Sequence, residues 1–237
     1  MVIHSHNNNR STTPPHMSLL GKAGLDLRSW VKSLRASHRI ILICIIGFVL
    51  ALLGLRILGT PADTYLALAF YHSLSSDSFV PLIFGIATLG DLIWVPLVFW
   101  LYVFRKDSND WTSSLILAVA MVSAMALTDI LKAAFNLPRP SQVSSLGIMP
   151  RGEIPTNPGF PSGHTTNAFT VATVIWSRYP ASRVPFLLLA IATGVSMIIL
   201  GLHFPSDVIG GVFLGIFCGT FVLGLARLKS SQSNTNP

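Results

Sequence analysis

Along this chain apolar and polar residues separate into long blocks. Runs dominated by Ile, Leu, Val, Ala, Phe and Trp cover 40–58, 79–104, 111–135, 184–202 and 208–225, with a shorter run at 165–177. A helix that crosses a bilayer needs about 20 mostly apolar residues. Five of the runs come close to that. The pattern predicts an all-α, integral-membrane bundle of six helices. The short sixth candidate, which opens on a Ser-Gly-His turn, is expected to have its mouth recessed below the membrane surface.

Composition agrees with this reading. The chain is 51% hydrophobic and 11% charged, with a mean hydropathy of +0.62, against about 25% charged residues in ordinary soluble domains. Where the charge lies is more informative than the net +7. Residues 1–39 form a basic tail, 40–226 the membrane domain and 227–237 a second polar tail. With the N-terminus inside, twelve of the 16 Lys and Arg residues fall on the cytoplasmic side, as the positive-inside rule requires. Both termini are therefore expected in the cytoplasm of a multi-pass cell-membrane protein.

The polar stretch 1–20 lacks the apolar core of a cleavable leader, so the run from Ile40 is read as an uncleaved anchor. Residues 17–39 mix apolar and basic positions at helical spacing, which suits either an interfacial helix or a plain juxtamembrane anchor. His4, His6 and His16 stand in a Ser/Thr/Asn/Pro-rich stretch and read as part of a disordered tail. Cys44 and Cys218 lie inside apolar runs, so neither a disulfide framework nor a thiolate metal site is expected. No metal, cofactor or nucleic-acid partner is expected.

The candidate chemistry gathers at the ends of the apolar runs predicted to face outward, where ionisable groups default to a functional role. Lys132 offers a point charge and Arg139 a planar fork for phosphate oxygens. Ser162 and Gly163 open a helix whose unpaired N–H groups and dipole favour an anion. His164 can protonate a leaving oxygen. His203 can attack phosphorus, given a partner such as Asp207 to fix its tautomer. Pro205 stands between those two, so their spacing leaves contact open. The long connection 136–161 is rich in Pro, Gly and Ser, as functional loops are. Asp129 reads as an ion partner of Lys132 one helical turn away. Asp91, in mid-span, reads as a packing hydrogen bonder that faces the bundle interior.

Three segments together resemble the signature motifs of the type 2 phosphatidic acid phosphatase superfamily: Lys132-Ala-Ala-Phe-Asn-Leu-Pro-Arg139-Pro140, Pro161-Ser162-Gly163-His164 and Gly201-Leu-His203-Phe-Pro-Ser-Asp207. The resemblance covers residues 40–226. It implies a six-helix core and metal-independent, two-step hydrolysis of a membrane lipid phosphate on the non-cytoplasmic face. It assigns His203 as nucleophile, Asp207 as its orienting group and His164 as general acid, with Lys132, Arg139, Ser162 and Gly163 cradling the phosphoryl group. In one place the chain departs from the family, which carries an arginine six residues before the nucleophile. Met197 stands there, after Ser196. Lower activity, a replacement cation such as Arg151, a less charged substrate or a non-catalytic binder would each accommodate the change.

Overall fold

The computed structural model describes residues 37–57, 59, 61–74, 76–103, 108–152 and 154–233. The histidine tract and all but the last three residues of segment 17–39 lie outside them. Every element described is helical. The first apolar run gives α1 (Ser37–Gly54), which passes into a π-helical stretch at Ala51–Ile57. Then follow α2 (Pro61–Ser73), α3 (Val80–Leu92), α4 (Trp94–Val103), α5 (Ser108–Phe135), α6 (Gly163–Arg178), α7 (Arg183–Ile199) and α8 (Pro205–Ser233). Among the described residues four helices are long and apolar enough to cross a membrane. The number becomes five if the bent pair Pro61–Ser73 and Asp77–Leu92, at 92° to each other, counts as one span.

The apolar run 79–104 is broken between α3 and α4. Pro96 has no N–H to give the carbonyl of Leu92, and Ile93 bridges the gap by bonding Leu89 and Leu97. The α2 helix lies where the hydropathy pattern places no element. Its start signal is nonetheless present: Thr60-Pro61-Ala62-Asp63 offers a capping residue, proline at the first helical position and an acid two residues later.

At the centre of the bundle α6 packs against α3, α5, α7 and α8, and an unbroken run of its residues from Thr165 to Ala172 is buried. Its closest neighbour is α8, because Gly211, Gly215 and Gly219 present bare backbone to it. A Cβ at Gly215 would stand 2.5 Å from the carbonyl oxygen of Thr166, and one at Gly211 2.7 Å from that of Ser162. A stripe of small residues thus replaces side-chain packing, as is common between helices in lipid. The Thr170 hydroxyl uses this approach to donate both to Thr166 and across to the carbonyl of Gly215. At one end of α6 the aromatic rings of Phe48, Phe135 and Phe160 pack against one another. They tie α1 and α5 to the loop that enters α6.

Candidate active site

Two helix ends build the site. The first is the exit of α7. Gly201 takes φ 71°, a conformation that glycine adopts without strain, and the chain closes a Schellman motif there. Gly201 N–H donates to Ile198 and Leu202 N–H to Met197. The Met197 carbonyl also receives the N–H of His203 at 3.2 Å, so the histidine backbone is pinned to the helix it has just left. The second is the start of α8. Pro205 occupies its first position, and the Asp207 carboxylate reaches back to the N–H of Phe204 at 3.0 Å. Asp63, buried on α2, accepts the N–H and hydroxyl of Ser206 at 2.9 and 2.7 Å. Nothing in the sequence ties Asp63 to this turn, because 143 residues separate the partners.

Between these two ends sits His203. Its Nδ1 lies 3.4 Å from Asp207 Oδ2, and its Nε2 lies 3.0 Å from Arg139 Nη1. A guanidinium can only donate, so Nε2 is the acceptor and the ring proton belongs on Nδ1, toward Asp207. Pro205, at the start of α8, therefore does not keep the pair apart. His203 is 2% exposed and Asp207 0%. Burial first, then the nearby charges of Arg139, Lys132 and His164, push the His203 pKa well below its ordinary 6.5, against a hydrogen bond with the Gly159 backbone. The neutral form, whose Nε2 lone pair accepts from Arg139, is the one an attacking imidazole needs.

The lowered pKa links stability to pH. The unfolded chain takes up a proton near pH 6.5 and the folded chain does not. The associated stability is thus complete above that pH and is lost as pH falls toward the folded value. In ¹⁵N-histidine NMR of the detergent-solubilised protein, one signal, missing in His203→Ala, is expected to remain that of a neutral ring at pH 6. Titration of that signal at 6.5 or above would contradict the burial argument.

The cations are held by carbonyls of one loop. Lys132 Nζ donates to Pro158 and Gly159 at 2.5 and 3.3 Å. It therefore turns inward, while Asp129 is exposed and is not within ion-pair distance of it. Arg139 donates to Asn157 through Nε and Nη2 and to the carbonyl of Leu202 through Nη1. Gly159 lets the loop pass between the two motifs. A Cβ there would lie 3.1 Å from Asp207 Oδ2 and 3.3 Å from Arg139 Cγ. Sequence reasoning does not single out Asn157 and Gly159, although Asn-Pro-Gly is a recognisable turn signal.

Ser162 caps α6 from a fully buried position. Its N–H is committed to the carbonyl of Asp207 at 2.9 Å, and its hydroxyl accepts from Thr165. The anion donors left at this end are the first amides of the helix, at Gly163 and His164. A Cβ on residue 163 would meet only Thr128 Cγ2 at 3.8 Å. Glycine is thus not demanded by the protein's own packing, and the space beside it is open for a group to approach the backbone closely. His164, 40% exposed, faces Asp91 Oδ2 at 3.7 Å, while Asn167 donates to the other oxygen of Asp91 at 2.6 Å. Asp91 is both the packing group expected of it and a neighbour of the site.

Two further positions bear on the arginine that the motif lacks. Met197 is 1% exposed and lies in an apolar cluster with Ala87, Leu200, Leu202 and Val208. Arg151 does not join the cradle. Its guanidinium lies 4.2 Å from the Tyr71 ring centroid and bonds the carbonyls of Tyr71 and Ile199. Among the described residues no cluster of three His, Cys, Asp or Glu side chains could hold a metal.

The assembly places a neutral imidazole, a second histidine, two buried cations and a helix N-terminus around one small volume, which suits transfer of a phosphoryl group. Similarity to known proteins runs the same way. A family model described as the PAP2 superfamily matches residues 113–230. The lipid A 4'-phosphatase of Bacteroides thetaiotaomicron is 29% identical over 189 residues, covering 73% of this chain and 81% of the relative. The crystal structure of a transmembrane PAP2 type phosphatidylglycerolphosphate phosphatase from Bacillus subtilis superposes with a TM-score of 0.64 at 21% identity, over 79% of this chain and 96% of the other. That of Aquifex aeolicus LpxE gives 0.59 at 28% identity, over 71% and 99%.

Proposed function

The chain belongs to the PAP2 superfamily and is a phosphoric ester hydrolase, and from that premise we propose that it hydrolyses a lipid phosphate or polyprenyl diphosphate through a phosphohistidine, without a metal. The observation that carries the proposal is the pairing of His203 Nε2 with Arg139 Nη1 while Nδ1 faces Asp207. The attacking lone pair points toward the cation that would bind the phosphoryl oxygens.

In the first step the Nε2 lone pair forms a bond to phosphorus and the ester P–O bond breaks. His164 gives its proton to the departing lipid oxygen. Asp207 stabilises the positive imidazole ring, while Lys132, Arg139 and the amides of Gly163 and His164 hold the three remaining oxygens. In the second step His164 takes a proton from water as its oxygen attacks phosphorus. The N–P bond breaks, its electron pair returns to Nε2, and inorganic phosphate leaves. Buried donors aimed at developing charge are the strongest single contribution of this kind.

The membrane part of the proposal is a bundle of six spans within 40–226, with α3 and α4 forming one and the short α6 another. Both termini lie in the cytoplasm and the site faces out. The charge bias supports the orientation. Relatives named lipid A phosphatase, phosphatidylglycerophosphatase and undecaprenyl-diphosphatase support a membrane lipid as substrate. The test combines two measurements. Purified protein in EDTA should release phosphate from at least one member of a panel of phosphatidate, phosphatidylglycerol phosphate, lipid A and undecaprenyl diphosphate. Reporter fusions should read residue 107 and residue 237 as cytoplasmic and residue 150 as external. Activity that vanishes in EDTA and returns with Mg²⁺, or an external C-terminus, would overturn the corresponding half.

A further inference from the structure

We propose that a second pocket, joined to the catalytic turn through Arg151, binds another anionic group on the headgroup of the same lipid, with Arg151 as its cation. This rests on the lipid phosphatase reading and narrows the substrate to lipids whose headgroup carries two negative groups. The pocket has a volume of about 490 Å³ and is walled by Tyr71, Asp77, Val80, Met149 and Arg151, among others. That is room for a sugar phosphate, since ligand sites commonly run from about 300 to 1,000 Å³.

Two of its lining residues, Arg151 and Tyr71, are packed against the turn. Arg151 N–H donates to the carbonyl of Leu200 at 2.9 Å, and the Cα of Gly201 is packed against Ile148 and the Tyr71 ring. His203 follows only two residues later. At about 3.8 Å per residue, the Cα atoms of Gly201 and His203 lie no more than about 8 Å apart, so the residue packed against Tyr71 and the imidazole belong to one short stretch of chain.

Arg151 is arranged to accept an anion. Nη1 is spent on the carbonyls of Tyr71 and Ile199, and the planar group is held over the Tyr71 ring. Nη2 makes no hydrogen bond among the described residues. The acidic partner of Nε is Asp77 at 3.5 Å, and that carboxylate is 86% exposed. A pair whose carboxylate stands in solvent holds weakly, and that carboxylate can be exchanged for a ligand anion. The cradle supplies a reason for such a subsite. With Met197 in place of an arginine it has only Lys132 and Arg139 as buried cations, and binding energy from a remote part of the substrate can offset what the reacting centre lacks.

The test uses the full-length protein with bis-phosphorylated lipid A and its monophosphoryl form, measuring kcat and KM for each. Arg151→Gln should raise KM about tenfold for the bis-phosphorylated lipid and leave the monophosphoryl KM within about twofold. Asp77→Asn removes a competing anion from a surface position, and should lower KM for the bis-phosphorylated lipid alone. If Arg151→Gln acts equally on both lipids, or Asp77→Asn favours neither, Arg151 is a structural staple and the subsite is wrong. The subsite is equally wrong if the wild type releases phosphate from phosphatidate but not from the bis-phosphorylated lipid. Failure to release phosphate from any lipid would instead remove the hydrolase reading on which the subsite rests.

Discussion

Replacing His203 by alanine is expected to reduce phosphate release by at least about 10³-fold, the order expected when a nucleophile is lost. The reason is specific to this geometry. The His203 imidazole turns an Nε2 lone pair toward Arg139, whereas Lys132 and Arg139 are charged donors engaged with the carbonyls of Pro158, Gly159 and Leu202. Brief mixing of the wild type with ³²P-labelled lipid should leave a protein-bound label that is stable in base and released in acid, as a phosphoramidate is. The variant should show no label. His164→Ala should instead retain the label with good leaving groups and slow its formation with poor ones, because the missing proton matters only to the latter. A label that persists in His203→Ala would assign the covalent step to another side chain.

The second large effect is expected at Met197. From sequence, arginine there looks like a restoration. The structure gives the opposite expectation, because the side chain is enclosed by Ala87, Leu200, Leu202 and Val208, with Phe70, Ile83 and Phe84 beside them. Burying an unpaired charge among these groups should cost roughly 2–4 kcal/mol. The cost would fall on the catalytic turn, since the Met197 carbonyl holds the N–H of both Leu202 and His203. Met197→Arg should therefore lower the melting temperature in detergent and lower kcat, whereas Met197→Leu should leave both nearly unchanged. A Met197→Arg enzyme with higher activity and tighter vanadate binding would show that a guanidinium can thread from this position into the cradle.

The contrast between Met197 and His203 shows what is legible in the sequence. Residues that carry chemistry stand out because charge is conspicuous against an apolar background. Lys132, Arg139, His164, His203 and Asp207 are all visible in that way, and all but His164 are buried around one centre. Residues that position them do not stand out. Asp63 acts across 143 residues, and Asn157 and Gly159 act through carbonyls and the lack of a side chain, which have no composition signal. The α2 helix escapes because hydropathy looks for spans, and a helix of 13 residues falls below that threshold despite its clear start. The ion pair expected between Asp129 and Lys132 fails for a related reason. Helical spacing fixes which residues share a face, not whether a long side chain stays on it.

The length of α6 bears on what the second half of the reaction can accept. Sixteen residues make about 24 Å of helix, short of a hydrocarbon core of about 30 Å. An isolated helix of that length would draw the bilayer thinner around itself. Here α3, α5, α7 and α8 pack against the helix and bury most of its length. On the proposed mechanism, a helix that starts this late would leave room over its first amides, and a phosphorylated His203 beside them would be attacked by whatever hydroxyl fills that room. Hydrolysis and transfer to an alcohol would then differ only in the occupant, and the space over α6, more than the identity of any catalytic residue, would set the balance between them.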